Sequence, residues 1–298
     1  MIRLLNFYVV HLTGFIVLGL IGGILLFIVS SLSLINSFFT SYSAITVTGL
    51  LPYDFSTMSI AFQLITLILI QAGSVSLWTL VPVVVRRRYL MQRFNEVVIP
   101  QEFDRSHLNP PTEKGVPLYL YSIEHWAMSR LIVNVLLYIG FWYLFGMTSL
   151  LIRFLSSPAS RAMASTVGGF GYWTVFHVIS AFNNAGFALF ATSLEPFNRD
   201  PFIMIPLSFL IIAGQTGFPI LLRLFIVIRS KFSRFAPVHS FLLNHGREIY
   251  THLFSRVETL WLSFGGLSSL FSSLLSLLFL TLDLSQVPSF LRYLTSTS

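Results

Sequence analysis

Between Arg3 and Asp54 the chain carries no Asp, Glu, Lys or Arg, and neither does the run from Phe55 to Val85, which stops at Arg86-Arg87-Arg88. A helix needs about 20 apolar residues to cross the hydrocarbon of a bilayer. The first run is too long for one crossing and suits a helix followed by a segment that enters and leaves on the same side. Irregular backbone at membrane depth is tolerated only where protein or water lines it. The expectation is a first span over about Phe7–Ser31, a re-entrant helix and loop over about Asn36–Leu51, and a second span over Phe55–Val85. The apolar run after Arg3 exceeds a signal-peptide core and lacks a clear small-residue cleavage site, so it reads as a retained span.

Composition agrees with a membrane setting. Hydrophobic residues make up 55%, charged ones 10%, and mean hydropathy is +0.79, whereas soluble domains are roughly one-quarter charged. Cysteine is absent, which excludes disulfides, thiolate catalysis and cysteine metal sites. The net charge of +7 sits in short clusters between apolar runs, a topology signal and not a nucleic-acid surface.

An internal repeat organises the rest. Phe39 to Leu50 and Phe176 to Phe187 align without a gap, placing Phe39 on Phe176, Ser43-Ala44 on Ser180-Ala181 and Gly49 on Gly186. Leu69-Ile70-Gln71-Ala72-Gly73 then matches Leu210-Ile211-Ile212-Ala213-Gly214. Each aligned segment begins as an apolar helix, turns polar and reaches a glycine.

The fold class expected is therefore an all-α integral membrane protein of repeated span–pore loop–span units, two complete repeats plus one further span. Residues 1–90 form the first repeat and residues 91–129, with Pro100, Pro110, Pro111 and Pro117, a cytoplasmic connector that runs from Tyr89 to Ser129 by composition. Residues 130–230 form the second repeat: a third span over Leu131–Ile152, a flexible loop over Ser156–Tyr172, the second re-entrant segment, and a fourth span over Phe202–Leu222 broken by Gly214, Gly217 and Pro219. A cytoplasmic segment at 231–257 leads to a fifth span at about Leu260–Leu282, within 258–298, read as the outer helix of a truncated third repeat with an outer tail. Most Lys and Arg residues fall on the side of Arg3, the connector and the 229–256 segment, which makes that side, and the N-terminus, cytoplasmic. Asp54, Glu195, Asp200 and Asp283 then lie outside, where acids would concentrate cations.

The chemistry lies in the glycine turns. A half-helix points the negative end of its dipole at the turn that succeeds it, and carbonyls of a turn can replace the hydration of an ion. Candidate ion-filter residues are Thr46, Val47, Thr48 and Gly49 in the first turn, and Asn183, Asn184, Ala185 and Gly186 in the second. Gly19, Gly22, Gly23 and Gly140 read as helix-packing glycines, Arg223 as a residue reaching the cytoplasmic interface, and Trp126 and Trp173 as interface anchors. His177, His245 and His252 lack metal-ligand spacing.

Thr46-Val47-Thr48-Gly49-Leu50, Ser180-Ala181-Phe182-Asn183-Asn184-Ala185-Gly186-Phe187, and Ala213-Gly214-Gln215-Thr216-Gly217-Phe218-Pro219 with Leu222-Arg223 resemble the Trk/Ktr/HKT superfamily of potassium and sodium transporters. Leu5-Asn6-Phe7 with His11, Leu243-Asn244-His245 and Tyr250-Thr251-His252-Leu253-Phe254 look most like its fungal and plant members. The resemblance implies four span–loop–span repeats around one pore with one filter glycine each; Gly49 and Gly186 match the first two. Glycine at the first position goes with potassium there, and serine with sodium. The chain departs in holding two of the four filter segments, a shorter connector, and Gln215 where Asn is usual.

The function expected is passage of monovalent cations, potassium ahead of sodium, in the plasma membrane, with no cofactor and no nucleic-acid partner. A second copy or a full-length transporter relative would complete the pore. The alternative is a non-conducting fragment or a regulatory subunit of a full-length transporter. An enzyme is not expected, since no HExxH or GxSxG occurs and no acid pair stands within a span.

Overall fold

The computed structural model describes residues 2–93, 112–113, 116–232 and 236–244. The fifth span, Asp283, His245, His252 and most of the cytoplasmic segment and connector lie outside the described residues.

Helix α1 (Ile2–Val29) is uninterrupted and apolar. Ser33 caps the next helix by accepting the Asn36 N–H, and α2 (Leu34–Ile45) folds back against α1. Their close approach uses small residues: a Cβ on Gly19, Gly22 or Gly23 would run into Tyr42, Ser41 or Phe38, and the Ser41 hydroxyl donates to the Gly19 carbonyl at 2.8 Å. Gly140, expected as a fourth packing glycine, is not one among the described residues, where a Cβ there would meet nothing within 4 Å. A 3-10 turn (Phe55–Thr57) leads to α3 (Ile60–Ala72), capped by Ser59. The chain breaks at Gly73 and continues as α4 (Val75–Trp78) and α5 (Leu80–Arg93). The expected second span is thus bent, by 43°.

A two-residue strand pair, β1 (Thr112–Glu113) and β2 (Val116–Pro117), precedes α6 (Leu118–Ser156). Apart from that pair, the regular structure of the described residues is all helical. Helix α6 begins inside the stretch expected to be a solvent-facing connector, because its residues from Leu118 on are largely apolar. Its one acid in that stretch, Glu124, pairs with Arg86 of α5 at 3.0 Å.

The stretch expected to be a flexible loop contains α7 (Pro158–Ser165), which the Ser157 cap and Pro158 at its first turn start. Helix α8 (Phe170–Phe182) comes after Gly168 and Gly169, both at positive φ. Trp173 is no interface anchor: it is fully buried between Phe154, Phe197 and His177. Helix α9 (Pro201–Ile211), a π turn (Ile212–Thr216) and α10 (Phe218–Phe232) complete the fourth apolar stretch with a 93° bend at the glycines expected to break it. Helix α11 (Ala236–Asn244) packs on α6 and α10.

Helix α1 from His11 and helix α6 from Glu124 are each long and apolar enough to cross a membrane, and each bent pair meets the same test when taken together. Helix α8 is shorter and apolar. Its inner face carries a large aromatic cluster, built on Trp173, Phe176 and Phe182.

Candidate ion-filter turns

Helices α2 and α8 end in the same way. Thr46 and Asn183 hold φ/ψ of −82°/1° and −83°/−2°, Val47 and Asn184 stand at φ 50° and 53°, and Gly49 and Gly186 at φ 70° and 74°. The hydrogen bonds match residue for residue. Thr46, Val47 and Thr48 donate their N–H groups to Tyr42, Ala44 and Ser43, while Asn183, Asn184 and Ala185 donate to Ile179, Ala181 and Ser180. All eight expected filter residues therefore lie in two turns of one backbone form.

The turns also meet. A Cβ on Gly49 would stand 2.4 Å from the Ala185 carbonyl oxygen and 2.9 Å from the Gly186 Cα, and one on Gly186 would stand 3.3 Å from the Gly49 Cα. Behind each turn a second glycine lets the broken helix reach the end of the short one. A Cβ at Gly73 would overlap the Ile45 carbonyl oxygen at 1.9 Å, and one at Gly214 the Phe182 carbonyl oxygen at 1.6 Å. Ile45 and Phe182 are themselves aligned in the repeat, so the same backbone contact occurs twice.

Side chains anchor the two turns differently. The first uses hydroxyls: Thr46 Oγ1 donates to the Tyr42 carbonyl at 2.6 Å, Thr48 Oγ1 to Ser43 Oγ at 3.1 Å, and Thr40 pairs with Tyr53 at 2.5 Å. Burial raises the pKa of the Tyr53 hydroxyl, and the bond to Thr40 partly offsets this; Tyr53 thus stays a neutral partner. The second turn uses amides. Asn183 Nδ2 donates to the Ile179 carbonyl at 2.9 Å, and reaches Tyr143 at 3.3 Å and Gln71 Oε1 at 3.4 Å. Tyr143 also donates to Gln71, and Asn184 Nδ2 to Gln215 Oε1 at 2.5 Å.

The two halves are tied by Gln63 and Gln71 from α3, which accept from Tyr172 of α8 at 2.9 Å and from Tyr143 of α6. Ser76 donates to the Gly214 carbonyl at 3.3 Å. Neither the repeat nor the charge pattern points to these linking side chains as a set. Gln63 and Gln71 do carry a signal of their own, since a polar amide within an apolar run needs a partner.

The outer acids divide. Asp54 is exposed and caps the 3-10 turn through the Ser56 N–H and hydroxyl, and Glu195 is exposed at a second 3-10 turn. Asp200 is buried: its carboxylate takes Arg153 at 2.8 Å, Ser160 at 2.8 Å and the Phe202 N–H at 3.2 Å. It holds α6, α7 and α9 together and does not face a mouth as a free charge. Among the described residues no group of three His, Cys, Asp or Glu could hold a metal.

A family model described as TrkH, a cation transport protein, matches residues 118–288, more than half of the chain. The chain belongs to the TrkH family. It is 38% identical over 145 residues to a putative potassium transport protein of Dictyostelium discoideum, covering 48% of this chain and 22% of that one. It is 37% identical over 151 residues to the potassium transporter TRK1 of Candida albicans, covering 49% and 14%. It is 30% identical over 243 residues to the Ktr system potassium uptake protein B of Bacillus subtilis, covering 78% and 48%. The TrkH-family chain thus spans less than half the length of each of these relatives. They are transport proteins and not enzymes, and with its apolar helices this member is an integral membrane protein.

Proposed function

We propose that this TrkH-family chain passes monovalent cations, potassium in preference to sodium, through a filter whose walls include the carbonyls of residues 46–49 and 183–186. The observation that carries the reading is the pair of backbone-identical turns, each closing a short helix with a residue at positive φ and then a glycine, set in contact at Gly49 and Gly186. Carbonyls fixed in such turns substitute for hydration water, and the negative ends of α2 and α8 favour a cation there.

On this reading α1, α2 and α3–α5 form one span–pore loop–span unit, and α6, α8 and α9–α10 a second. Arg86 to Arg88 in the middle of α5, with Arg229 and Lys231 near the end of α10, support a cytoplasmic placement of that side, and the plasma membrane is the site of action on this reading. Two turns do not enclose an ion, so a second copy or a longer relative supplies the others. The relatives' names, all given for potassium transport, support the choice of ion.

The test is potassium and sodium flux into liposomes holding the purified chain, against Gly49→Ser. The serine Cβ would press on the Ala185 carbonyl at a φ that disfavours any side chain. Potassium-preferring flux that loses its preference in the variant is the expected result. Folded protein without flux would reject pore formation by copies of this chain alone, and co-reconstitution with a longer relative would then test the partner reading.

A further inference from the structure

Besides the polar bracing of each turn, an aromatic contact crosses from the first repeat to the second. Asp54 caps the 3-10 turn at Phe55–Thr57, and that turn sends the Phe55 ring, 4% exposed, into the other half. Its centroid lies 5.7 Å from that of Phe176 in α8 and 5.4 Å, in a T-shaped arrangement, from that of Phe187, inside the range of favourable aromatic pairs. Gln63 fixes where the turn stands. Its Nε2 donates to the Met58 carbonyl at 3.2 Å and the Phe55 carbonyl at 3.4 Å, while its Oε1 accepts from Tyr172 of α8.

Phe187 comes directly after Gly186. A glycine has no side chain by which neighbours can hold it and tolerates a wide range of φ and ψ, so the directions of its peptides are set by the residues on either side. Phe187 is held twice, by its ring, 2% exposed against Phe55, and by its carbonyl, which accepts from Ser180 Oγ at 2.7 Å. In the first turn, the repeat alignment puts Leu50 in the place of Phe187 and Phe39 in the place of Phe176. They are 64% and 45% exposed, so none of the described residues packs there as Phe55 does. The second repeat has an outer 3-10 turn too, Glu195–Phe197, but Phe197 turns to Phe154, Trp173 and Phe190 of its own half. The contact thus runs one way, from the outer turn of the first repeat to the glycine turn of the second.

We infer that Phe55 is a positioning residue for the second turn: through the Phe187 ring it fixes the peptide that joins Gly186 to Phe187, and with it the Gly186 carbonyl. On the reading of residues 183–186 as filter wall, on which this role depends, the outer turn of the first repeat helps the second turn to tell potassium from sodium. Protein interiors are close-packed, so trimming Phe55 leaves space into which Phe187 tilts, and a carbonyl free to move discriminates less between ions of different radius. The first turn, with Leu50 exposed, has no part in this.

The experiment is magic-angle-spinning NMR of the full chain in bilayers with ¹³C carbonyl labels at Gly49 and Gly186, first in a large organic cation, then in potassium and in sodium. In Phe55→Leu the Gly186 signal should move and broaden before any exchange of cation, its difference between potassium and sodium should shrink, and Gly49 should keep the parent's values. Phe197→Leu, an equal cut in the other outer turn, should leave both signals in place. In a Phe187→Leu background, which removes the ring that Phe55 presses on, a further Phe55→Leu should add little. Should Phe55→Leu not fold, Phe55→Met, which adapts to irregular gaps, takes its place. A Gly186 signal unmoved in the folded variant, one moved as much by Phe197→Leu, or a full effect of Phe55→Leu in the Phe187→Leu background would overturn the role of Phe55. A Gly186 signal that moves in Phe55→Leu but answers neither ion in the parent would instead reject the filter reading and leave the contact standing.

Discussion

The turn at 46–49 and the turn at 183–186 share φ angles to within a few degrees and share the same three backbone hydrogen bonds, yet almost no side-chain chemistry. Hydroxyls brace the first; amides from Asn183 and Asn184, met by Gln71, Gln215 and Tyr143, brace the second. What the repeat preserves is the path of the backbone and the glycines that allow it. The bracing is local, and each half has its own.

The comparison breaks most easily at the buried glycines. Gly73→Val and Gly214→Val place carbon inside a carbonyl oxygen's radius at 1.9 and 1.6 Å, so both should cost more than the ordinary overpacking range of about 1–3 kcal/mol. Thermal unfolding in detergent should register loss of the folded chain in both, while Gly140→Ala, whose Cβ meets none of the described residues within 4 Å, stays within about 0.5 kcal/mol of the parent.

Next come the glycines of the two turns, Gly49 and Gly186. Both sit at positive φ, where a side chain costs roughly 1–2 kcal/mol, but only Gly49 also faces a carbonyl at 2.4 Å. Gly49→Ala should therefore lower the melting temperature more than Gly186→Ala. Equal effects would mean that the two turns are not in contact.

The bracing residues give smaller effects. Asn183→Ala takes one donor each from half-buried Tyr143 and Gln71 and the bond to the Ile179 carbonyl, and should cost about 1–2 kcal/mol, whereas the aligned Thr46→Ala, at an exposed residue, should cost about 0.5 kcal/mol or less. Tyr53→Phe removes one bond, to Thr40, worth about 1 kcal/mol. Chemical denaturation of the set ranks the three.

Much of this is legible in the sequence. The gapless match of Phe39–Leu50 with Phe176–Phe187 locates both turns and their positive-φ glycines, and the cluster Gly214, Gly217 and Pro219 locates the sharper bend. Gly73 aligns with Gly214 but stands in the sequence only as a landmark, because its role is set by Ile45, a residue distant in the chain. Helix α7 looks like a loop, since Pro158 and the later glycines signal a break without saying that a helix fits between them. Asp200 looks like a mouth acid because charge counts do not reveal pairing; Arg153, a full span away in sequence, neutralises it. Trp173 resembles an interface anchor for the same reason, as burial beneath Phe154 and Phe197 is a tertiary fact.

Cation binding by the carbonyls of both turns is tested most directly by placing ¹³C carbonyl labels at Thr48 and Ala185 in the bilayer-embedded chain and replacing a large organic cation with potassium, then with sodium. Both carbonyl signals should shift, and further with potassium than with sodium. A folded chain in which neither signal responds to either ion would contradict a filter built from these two turns.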